Sequence, residues 1–398
     1  MKIEAIKIKN YKVFKELDIR NLPNMCVFLG ANGSGKSTFF DIFGFLSQSL
    51  RENVKSAINN SNRGGFKEVI SRNQTGNIEI EIKFRNESQN NEYQPLITYG
   101  LKIELKNNLP IVKSELLKYR RGKRGKPWHF LDFEEGEGTA ITNEENLLNK
   151  SVKEKREPQK LDSPDILAIK GLGQFQKFKA VSDFRKLLEN WYIANFQIPD
   201  TKKNQDYGVS EYLTTTGDNL VLVADYIYEN HPDIFNHILK QLEKRIPGIS
   251  IVETTKTEDN RILLRFKDQA FKDPFMARYV SDGTLKMFAY LILLYHPHRH
   301  PLLCIEEPEN YLYPSLLYEL AEEFREYANR GGQVFISTHS PDFVNALQPK
   351  ELFWLTKKNG YTTMKRASDD ELINELYEAG DQLGSLWNQG HFKDSDPQ

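Results

Sequence analysis

The chain contains little cysteine and no long apolar segment. Its only cysteines among 398 residues are Cys26 and Cys304, and each lies inside a short apolar run. Two such residues do not indicate a disulfide or a zinc site, so we interpret both as small buried side chains in a reducing compartment. No apolar run approaches the ~20 residues of a membrane-spanning helix, and the N-terminus alternates like a strand rather than a signal peptide. The sequence therefore predicts a cytoplasmic protein.

The chain also has no excess of charge of either sign. Its 54 Lys and Arg residues balance 55 Asp and Glu residues, which gives a formal net charge of −1. Any contact with double-stranded DNA must therefore come from a local basic patch. We interpret the basic run over residues 118–126 as a solvated hairpin or loop, with a contact to phosphate backbone as the alternative. Its basic members are Lys118, Arg120, Arg121, Lys123, Arg124 and Lys126.

The middle of the chain lacks the regular patterns found nearer its ends. Residues 150–160 are polar and mostly basic, which favours an exposed linker. Residues 181–191, 218–229 and 232–245 have the apolar spacing of helices. Sustained heptads are missing, so we do not expect a long coiled-coil arm. These observations predict a modest inserted α+β subdomain over residues 111–261.

Residues 30–38 match the phosphate-binding loop G-x-x-x-x-G-K-[ST] in full. Glycines let the backbone turn tightly enough for its N–H groups to face phosphate oxygens. We expect the lysine to contact the β- and γ-phosphates and the following serine hydroxyl to bind Mg²⁺. An apolar run before the loop and a helical pattern after it support the match. The predicted ATP-binding residues are Gly30, Ala31, Asn32, Gly33, Ser34, Gly35, Lys36, Ser37 and Thr38.

An apolar run over residues 302–305 leads directly into carboxylates. At the C-terminal edge of a parallel sheet, such a strand delivers negative charge next to a phosphate loop. The pattern predicts that Glu306 holds Mg²⁺ through water and that Glu307 orients and deprotonates the attacking water. Ordinary surface acids at a strand end are the alternative interpretation.

Two further motifs flank the acidic strand along the chain. His339 ends the next apolar run, where a neutral imidazole can contact the γ-phosphate or the attacking water. Earlier in the chain, residues 281–284 read Ser-Asp-Gly-Thr before an apolar helical pattern. Alone, this pattern predicts no more than a helix N-cap.

The phosphate loop, Ser-x-Gly motif, acidic strand and strand-end histidine, in this order, resemble the ABC-type ATPases of the SMC and RecF class. That resemblance implies a dimer in which each phosphate loop faces the Ser-x-Gly motif of the other subunit. Ser281 and the Gly283 N–H would then contact the γ-phosphate across the interface. ATP would hold the dimer together and hydrolysis would release it.

A more specific resemblance comes from residues 306–314 (EEPENYLYP), 337–341 (STHSP) and 383–387 (LGSLW). These segments are similar to stand-alone bacterial AAA-type ATPases related to the ATPase half of OLD-family nucleases. The resemblance implies a role in phage defence beside a nuclease partner, such as a TOPRIM-like protein. About sixty residues follow His339, too few for a TOPRIM domain, so we expect any nuclease activity to come from that partner.

Three positions depart from the family pattern. Glu306 stands where the metal-binding carboxylate is usually Asp, and its side chain is longer by one methylene. Tyr313 stands where His or Asp usually occurs in the loop after the acidic strand. No strong motif marks the glutamine that senses Mg²⁺, and Gln74 is the best candidate for this third metal-site residue.

We therefore predict an α/β fold: an ABC-type ATPase head with a mostly parallel phosphate-loop sheet, an N-terminal antiparallel β lobe and an inserted subdomain. The predicted divisions are 1–110 and 262–398 for the two ATPase lobes and 111–261 for the insertion. We expect a Mg²⁺-dependent ATPase that dimerises, or forms a higher oligomer, to control an effector in phage defence or DNA transactions. A RecF-like DNA-repair ATPase and an ATP-bound scaffold that sequesters a toxin are the alternatives.

Overall fold

The computed structural model describes residues 1–86, 94–120, 126–144, 153–202, 205–271, 273–393 and 395. The chain forms two compact units. The first unit consists of Met1–Trp191, Pro349–Glu375 and Gly390–Gln398, and the second consists of Tyr192–Gln348 and Leu376–Gln389. The predicted three-part division differs from this arrangement, because residue 110 lies inside a strand of the first unit.

The strands are β1 (Lys2–Tyr11), β2 (Phe14–Arg20), β3 (Met25–Leu29), β4 (Ile78–Arg85), β5 (Ile97–Lys106), β6 (Leu109–Tyr119), β7 (Trp128–Glu134), β8 (Glu137–Ile141), β9 (Arg156–Lys160), β10 (Tyr192–Ala194), β11 (Gln205–Asp206), β12 (Ile249–Lys256), β13 (Arg261–Asp268), β14 (Phe275–Met276), β15 (Leu302–Glu306), β16 (Gln333–Thr338), β17 (Leu352–Lys358) and β18 (Tyr361–Arg366).

The helices are α1 (Lys36–Arg51), α2 (Val54–Asn59), α3 (Phe66–Val69), α4 (Ala168–Leu172), α5 (Lys179–Glu189), α6 (Ile198–Thr201), α7 (Leu220–Asn230), α8 (Pro232–Arg245), α9 (Asp282–Leu294), α10 (Pro314–Asn329), α11 (Pro341–Asn345), α12 (Glu371–Glu378) and α13 (Leu383–Asn388). Within the described residues, no helix is both long and apolar enough to cross a membrane.

An eight-stranded antiparallel sheet dominates the first unit, in the order β2-β1-β4-β5-β6-β7-β8-β9. Its strands alternate in burial, as β4 shows with every second side chain buried, because one face of such a sheet packs on the core. The sheet continues well past residue 110, since β6 pairs with both β5 and β7. The N-terminal antiparallel part of the predicted fold is therefore larger than the sequence suggested.

The structure describes only part of the two polar segments of the middle region. The linker predicted over residues 150–160 is wrong at its end, because 156–160 form strand β9 and pair with β8 along its whole length. Residues 145–152 lie outside the described part of the chain, as do 121–125 of the basic run. The remaining part of that run includes Lys118, which lies in β6.

Parallel pairing is confined to a few strands in each unit. In the first unit, β3 pairs in parallel with β17, and β17 pairs antiparallel with β18. In the second unit, β10, β15 and β16 are parallel neighbours, whereas β11 to β14 form an antiparallel sheet. Most of the described strand pairs belong to the two antiparallel sheets, and the phosphate-loop strand β3 is parallel to β17. The mostly parallel phosphate-loop sheet as a whole stays a prediction.

The helices predicted from spacing are confirmed within a few residues. The segments at 181–191, 218–229 and 232–245 correspond to α5, α7 and α8. Pro232 occupies the first turn of α8, where the missing N–H of proline costs nothing. Helix α9 is buried around its full circumference from Thr284 to Leu294, as expected for the central helix of a core.

Glu115 is a fully buried carboxylate within β6. It accepts hydrogen bonds from the Tyr99 hydroxyl and from the backbone N–H groups of Ala168 and Ile169, at the start of α4. Burial raises the pKa of Glu115 to about 7, against the lowering effect of these donors. Because the folded-state pKa is raised, the stability associated with this group is present below pH 4.5 and is lost as the pH rises through 7.

We expect Glu115→Gln to lower the free energy of unfolding by about 1–3 kcal/mol at pH 5. Both carboxyl oxygens accept hydrogen bonds, whereas the amide nitrogen that replaces one of them cannot accept any. At pH 8 the difference between wild type and variant should shrink, since the wild type has lost the contribution of its protonated carboxyl group. Urea unfolding at both pH values measures this. A difference that is constant or larger at pH 8 would contradict the assigned pKa.

Candidate functional site

The phosphate loop lies between a strand and a helix of the first unit. All five residues of β3 are buried, and α1 begins at Lys36 directly after the loop. Gly33 and Gly35 have φ angles of 77° and 109°, which favour glycine over any residue with a side chain. A Cβ atom at Gly30 would lie 2.5 Å from the Ser34 hydroxyl oxygen. The loop therefore needs glycine at all three positions.

Lys36 and the loop backbone form one compact group. The Lys36 ammonium donates to the carbonyl oxygens of Gly30 at 2.6 Å and Ala31 at 3.2 Å. Ser34 is 5% exposed, and its hydroxyl has no hydrogen-bond partner among the described residues. The start of α1 adds the positive end of its dipole, and Ser37 and Thr38 lie in its first turn. A buried hydroxyl, a cation and a helix start fit a triphosphate with bound Mg²⁺.

The C-terminal hairpin of the first unit supports this loop, a contact that the sequence did not reveal. The Thr362 hydroxyl donates to the Ser34 carbonyl at 2.6 Å, and the Thr362 N–H donates to the Val13 carbonyl. A Cβ atom at Gly35 would collide with Val13. Strand β18 and the turn between β1 and β2 therefore fix the loop from one side.

Asp41, one turn into α1, contacts three donor side chains from segments far from it in the sequence. It accepts from the Tyr11 hydroxyl at 2.7 Å and the Lys12 ammonium at 2.6 Å, and it pairs with the Arg63 guanidinium. Burial raises the pKa of Asp41, but its cationic and hydroxyl partners outweigh burial and lower the pKa below its usual value. Asp41 is thus ionised and anchors α1 behind the loop.

Gln74, the candidate Mg²⁺ sensor, also belongs to the first unit. Its amide donates to the Tyr361 hydroxyl at 2.9 Å and to the Asn73 carbonyl at 3.0 Å. The Tyr361 hydroxyl donates in turn to the Arg72 carbonyl. The side chain is held at the start of β18, and its role at the metal stays a prediction.

In the second unit, the acidic strand and the histidine strand are direct neighbours. Strands β15 and β16 are parallel, with Glu306 opposite Ser337. Because parallel strands end at the same edge, Glu307 and His339 come together, with 3.4 Å between the Glu307 Oε1 and His339 Nδ1 atoms. Both side chains are partly exposed, at 36% and 45%. Asn310 donates to the other Glu307 oxygen at 3.1 Å.

The third carboxylate of this segment, Glu309, was not assigned a role from the sequence. Its side chain is 7% exposed and its Oε1 atom lies 3.4 Å from His339 Nδ1. The same oxygen accepts from the Thr338 hydroxyl and the His339 N–H. The signal that could have found it is its spacing, three residues after Glu306 and just past Pro308.

The Ser-x-Gly motif starts helix α9 of the second unit. The Ser281 hydroxyl accepts from the Thr284 N–H at 3.2 Å, so the residue is an N-cap, as its sequence pattern indicates. Gly283 lies against the loop after the acidic strand, since a Cβ atom there would be 2.8 Å from the Tyr311 carbonyl. Asp282 pairs with Lys202. A role for Ser281 and Gly283 toward ATP in another subunit stays a prediction.

Helix α9 also carries a buried lysine toward the acidic loop. The Lys286 ammonium donates to the Glu307 carbonyl at 3.2 Å and lies near the ring faces of Tyr290 and Tyr311. Burial lowers the pKa of Lys286 to about 8, although Glu309 and Glu307 act in the opposite direction. The Lys286 ammonium therefore links α9, the helix that begins at the Ser-x-Gly motif, to the backbone of Glu307, the candidate base.

A fold of this kind, with these motifs in this order, is that of an SMC-like AAA ATPase. The chain belongs to the family described as "AAA domain, putative AbiEii toxin, Type IV TA system", whose model matches residues 25–345. The resemblance inferred from the sequence is thereby confirmed at the level of the ATPase class.

One curated relative and one solved structure agree with this assignment. An ATP/GTP phosphatase of Helicobacter pylori is 22% identical over 358 residues, which are 87% of each chain. A crystal structure of an SmcHead bound to the C-winged helix domain of ScpA matches with a TM-score of 0.55 and 15% identity. That match covers 92% of this chain and 97% of the SmcHead chain, and it shows an SMC-head-like α/β fold.

Proposed function

We propose that this ATPase is a switch in which the phosphate loop binds ATP with Mg²⁺ and Glu307 activates the water that attacks the γ-phosphate. The observation that carries the proposal is the pairing of Glu307 with His339 at the ends of two adjacent strands, at 3.4 Å. A carboxylate beside an imidazole, both partly exposed, suits removal of a proton from water and contact with the transferred phosphoryl group.

Other residues of the candidate site would bind the phosphates and Mg²⁺ and orient the base. Lys36 contacts the β- and γ-phosphates, and backbone N–H groups of the loop bind phosphate oxygens. Ser37, Glu306 and Gln74 would hold Mg²⁺, which neutralises phosphate charge when bound. Asn310 orients the carboxylate of Glu307, and this contact is supported by their 3.1 Å hydrogen bond.

We further propose that hydrolysis requires a second copy of the chain. In a head-to-tail dimer, Ser281 and Gly283 of one copy would contact the γ-phosphate bound by the other. The fold likeness to an SMC head supports this arrangement. The segment around the motif also leaves Tyr279, Tyr311 and Tyr313 more than half exposed, as expected for a surface that another protein covers.

The output of the switch is a protein effector. The family description names a type IV toxin–antitoxin system, which supports control of a toxic or antiviral partner, such as a TOPRIM-like nuclease in phage defence. The same description favours the scaffold alternative, in which an ATP-bound assembly sequesters a toxin and turns over slowly. A RecF-like action on double-stranded DNA would instead depend on the basic run near Lys118.

The test is ATP turnover per subunit as a function of protein concentration, with and without duplex DNA. We expect the specific rate to rise with concentration and Ser281→Ala to lower it about 100-fold, because a γ-phosphate donor is lost. Asn53→Ala is the matched control, since Asn53 caps α2 through the same kind of bond, and its turnover should equal that of the wild type.

A flat rate from a protein that light scattering shows to be monomeric would contradict the shared site. Wild-type turnover in Ser281→Ala would show that Ser281 only caps α9 and does not contact the γ-phosphate. Stimulation by DNA would support the RecF-like alternative, and tight ATP binding with negligible turnover would support the scaffold.

A further inference from the structure

The carboxylate of Glu309 is the most deeply buried acidic group beside the candidate base. Its Oε1 atom accepts from the Thr338 hydroxyl at 2.8 Å and from the His339 N–H at 2.9 Å. The same atom lies 3.4 Å from His339 Nδ1. Its Oε2 atom has no hydrogen-bond partner among the described residues. The first three observations concern Thr338, the last residue of β16, and His339, which follows it.

We propose that Glu309 is a positioning residue, which holds the backbone and the imidazole of His339 at the distance from Glu307 that hydrolysis needs. This inference rests on the proposed function, because it concerns the same pair of reacting side chains. Glu309 itself does not touch the phosphate or the water. It acts through His339, and through the strand end that carries this histidine.

The physical reason is the cost of burying a carboxylate. A buried charge is tolerated only where donors and opposite charge compensate it. The Thr338 hydroxyl and the His339 N–H supply two donors. The Lys286 ammonium supplies nearby positive charge, since Glu309 acts to raise the pKa of Lys286 against the lowering effect of burial. Both donors lie at the strand end that carries the histidine, which ties the buried carboxylate to the candidate site.

The backbone of the candidate base, Glu307, is itself held by neighbouring groups. Glu307 has a φ angle of 44°, a left-handed conformation that is uncommon for a residue with a side chain. Its N–H donates to the Ser337 carbonyl, and its carbonyl accepts from Lys286. The base is thus fixed through its backbone, whereas His339 is fixed through Glu309. Both sides of the 3.4 Å contact are then determined by buried groups.

The test begins with Glu309→Gln, which keeps the size of the side chain and removes its charge. We expect kcat to fall about 10- to 100-fold, because a small displacement of a reacting group costs this much. The dissociation constant for ATP should stay within about twofold of the wild type. A general loss of folded protein would also lower kcat per total protein without changing the dissociation constant. The number of ATP molecules bound per chain is therefore measured in the same titration and should equal the wild-type value.

A double-mutant cycle with His339→Ala identifies the residue through which Glu309 acts. If Glu309 works by placing the imidazole, adding Glu309→Gln to His339→Ala should lower kcat no further. Full additivity of the two effects would overturn the proposal. So would wild-type kcat in Glu309→Gln when Glu307→Gln has lost turnover, and this comparison separates the inference from the proposed function.

One matched pair and one control variant keep the test valid if Glu309→Gln folds poorly. Thr338→Val removes the hydroxyl that anchors Glu309, whereas Thr338→Ser keeps it, so only the valine variant should lose kcat, by about three- to tenfold. Glu323 is equally buried but pairs with Arg245 and Tyr295. Glu323→Gln should therefore lower the melting temperature without changing kcat per folded protein. Equal kcat in the two Thr338 variants would overturn the proposal.

Discussion

Glu307→Gln is expected to bind ATP with wild-type affinity and to lose turnover by a factor of about 10²–10⁴, the range typical of general-base catalysis. The amide cannot accept a proton from water, but it fills the same space and can keep the hydrogen bond from Asn310. Because ATP is bound and not consumed, the ATP-dependent dimer should accumulate. Turnover assays, a binding titration and size-exclusion chromatography with light scattering measure the three quantities.

The control for this variant is Glu322→Gln, an exposed acid on α10 that pairs with Arg325. Its turnover should match the wild type, since exposed ion pairs contribute little to stability and this one is not part of the site. Wild-type turnover in Glu307→Gln would refute the assignment of the base. A variant that stays monomeric with saturating ATP would refute the composite dimer while leaving the base intact.

Lys36→Ala should abolish measurable ATP binding, an effect of at least about 100-fold in the dissociation constant. Lys36 is 7% exposed, and its ammonium donates to the carbonyl oxygens of Gly30 and Ala31. Alanine removes both the charge that would neutralise phosphate and these loop contacts. A charge-assisted contact with a multiply charged ligand is among the strongest interactions a side chain makes.

Isothermal titration with ATP and Mg²⁺ tests this expectation directly. Lys55→Ala, an exposed lysine on α2 of the same unit, removes an equal charge and should bind ATP like the wild type. Normal affinity in Lys36→Ala would rule out residues 30–38 as the nucleotide site. Equal losses in both variants would indicate a general effect of charge in place of a specific contact.

Three parts of the candidate site that the sequence predicted share one property. The phosphate loop, the acidic strand and the histidine strand are contiguous patterns in which a short buried strand leads into functional residues, which begin at Gly30, Glu306 and His339. Such patterns carry their meaning locally, because the edge of a parallel pair fixes where the next residue lies. That rule predicts that Glu307 and His339 lie near each other, as the structure shows.

The parts that the sequence did not reveal depend on packing between distant segments. Asp41 meets Lys12 and Arg63, and Thr362 reaches Ser34 across more than three hundred residues. No local periodicity encodes these pairs. The extent of the antiparallel sheet was underestimated for a similar reason: β9 is a polar edge strand, and polar edge strands resemble linkers in sequence.

The contact between Thr362 and the phosphate loop also has a consequence for synthesis of the chain. Strand β3 pairs with β17, and Thr362 of β18 donates to the Ser34 carbonyl of the loop. Both β17 and β18 lie beyond residue 349. During translation, the phosphate loop leaves the ribosome long before these strands are synthesised, so the first unit cannot complete its packing until they have emerged. Nucleotide binding should therefore appear only after Arg366, the end of β18, has emerged, and a nascent chain ending at residue 345 would carry the loop without its support.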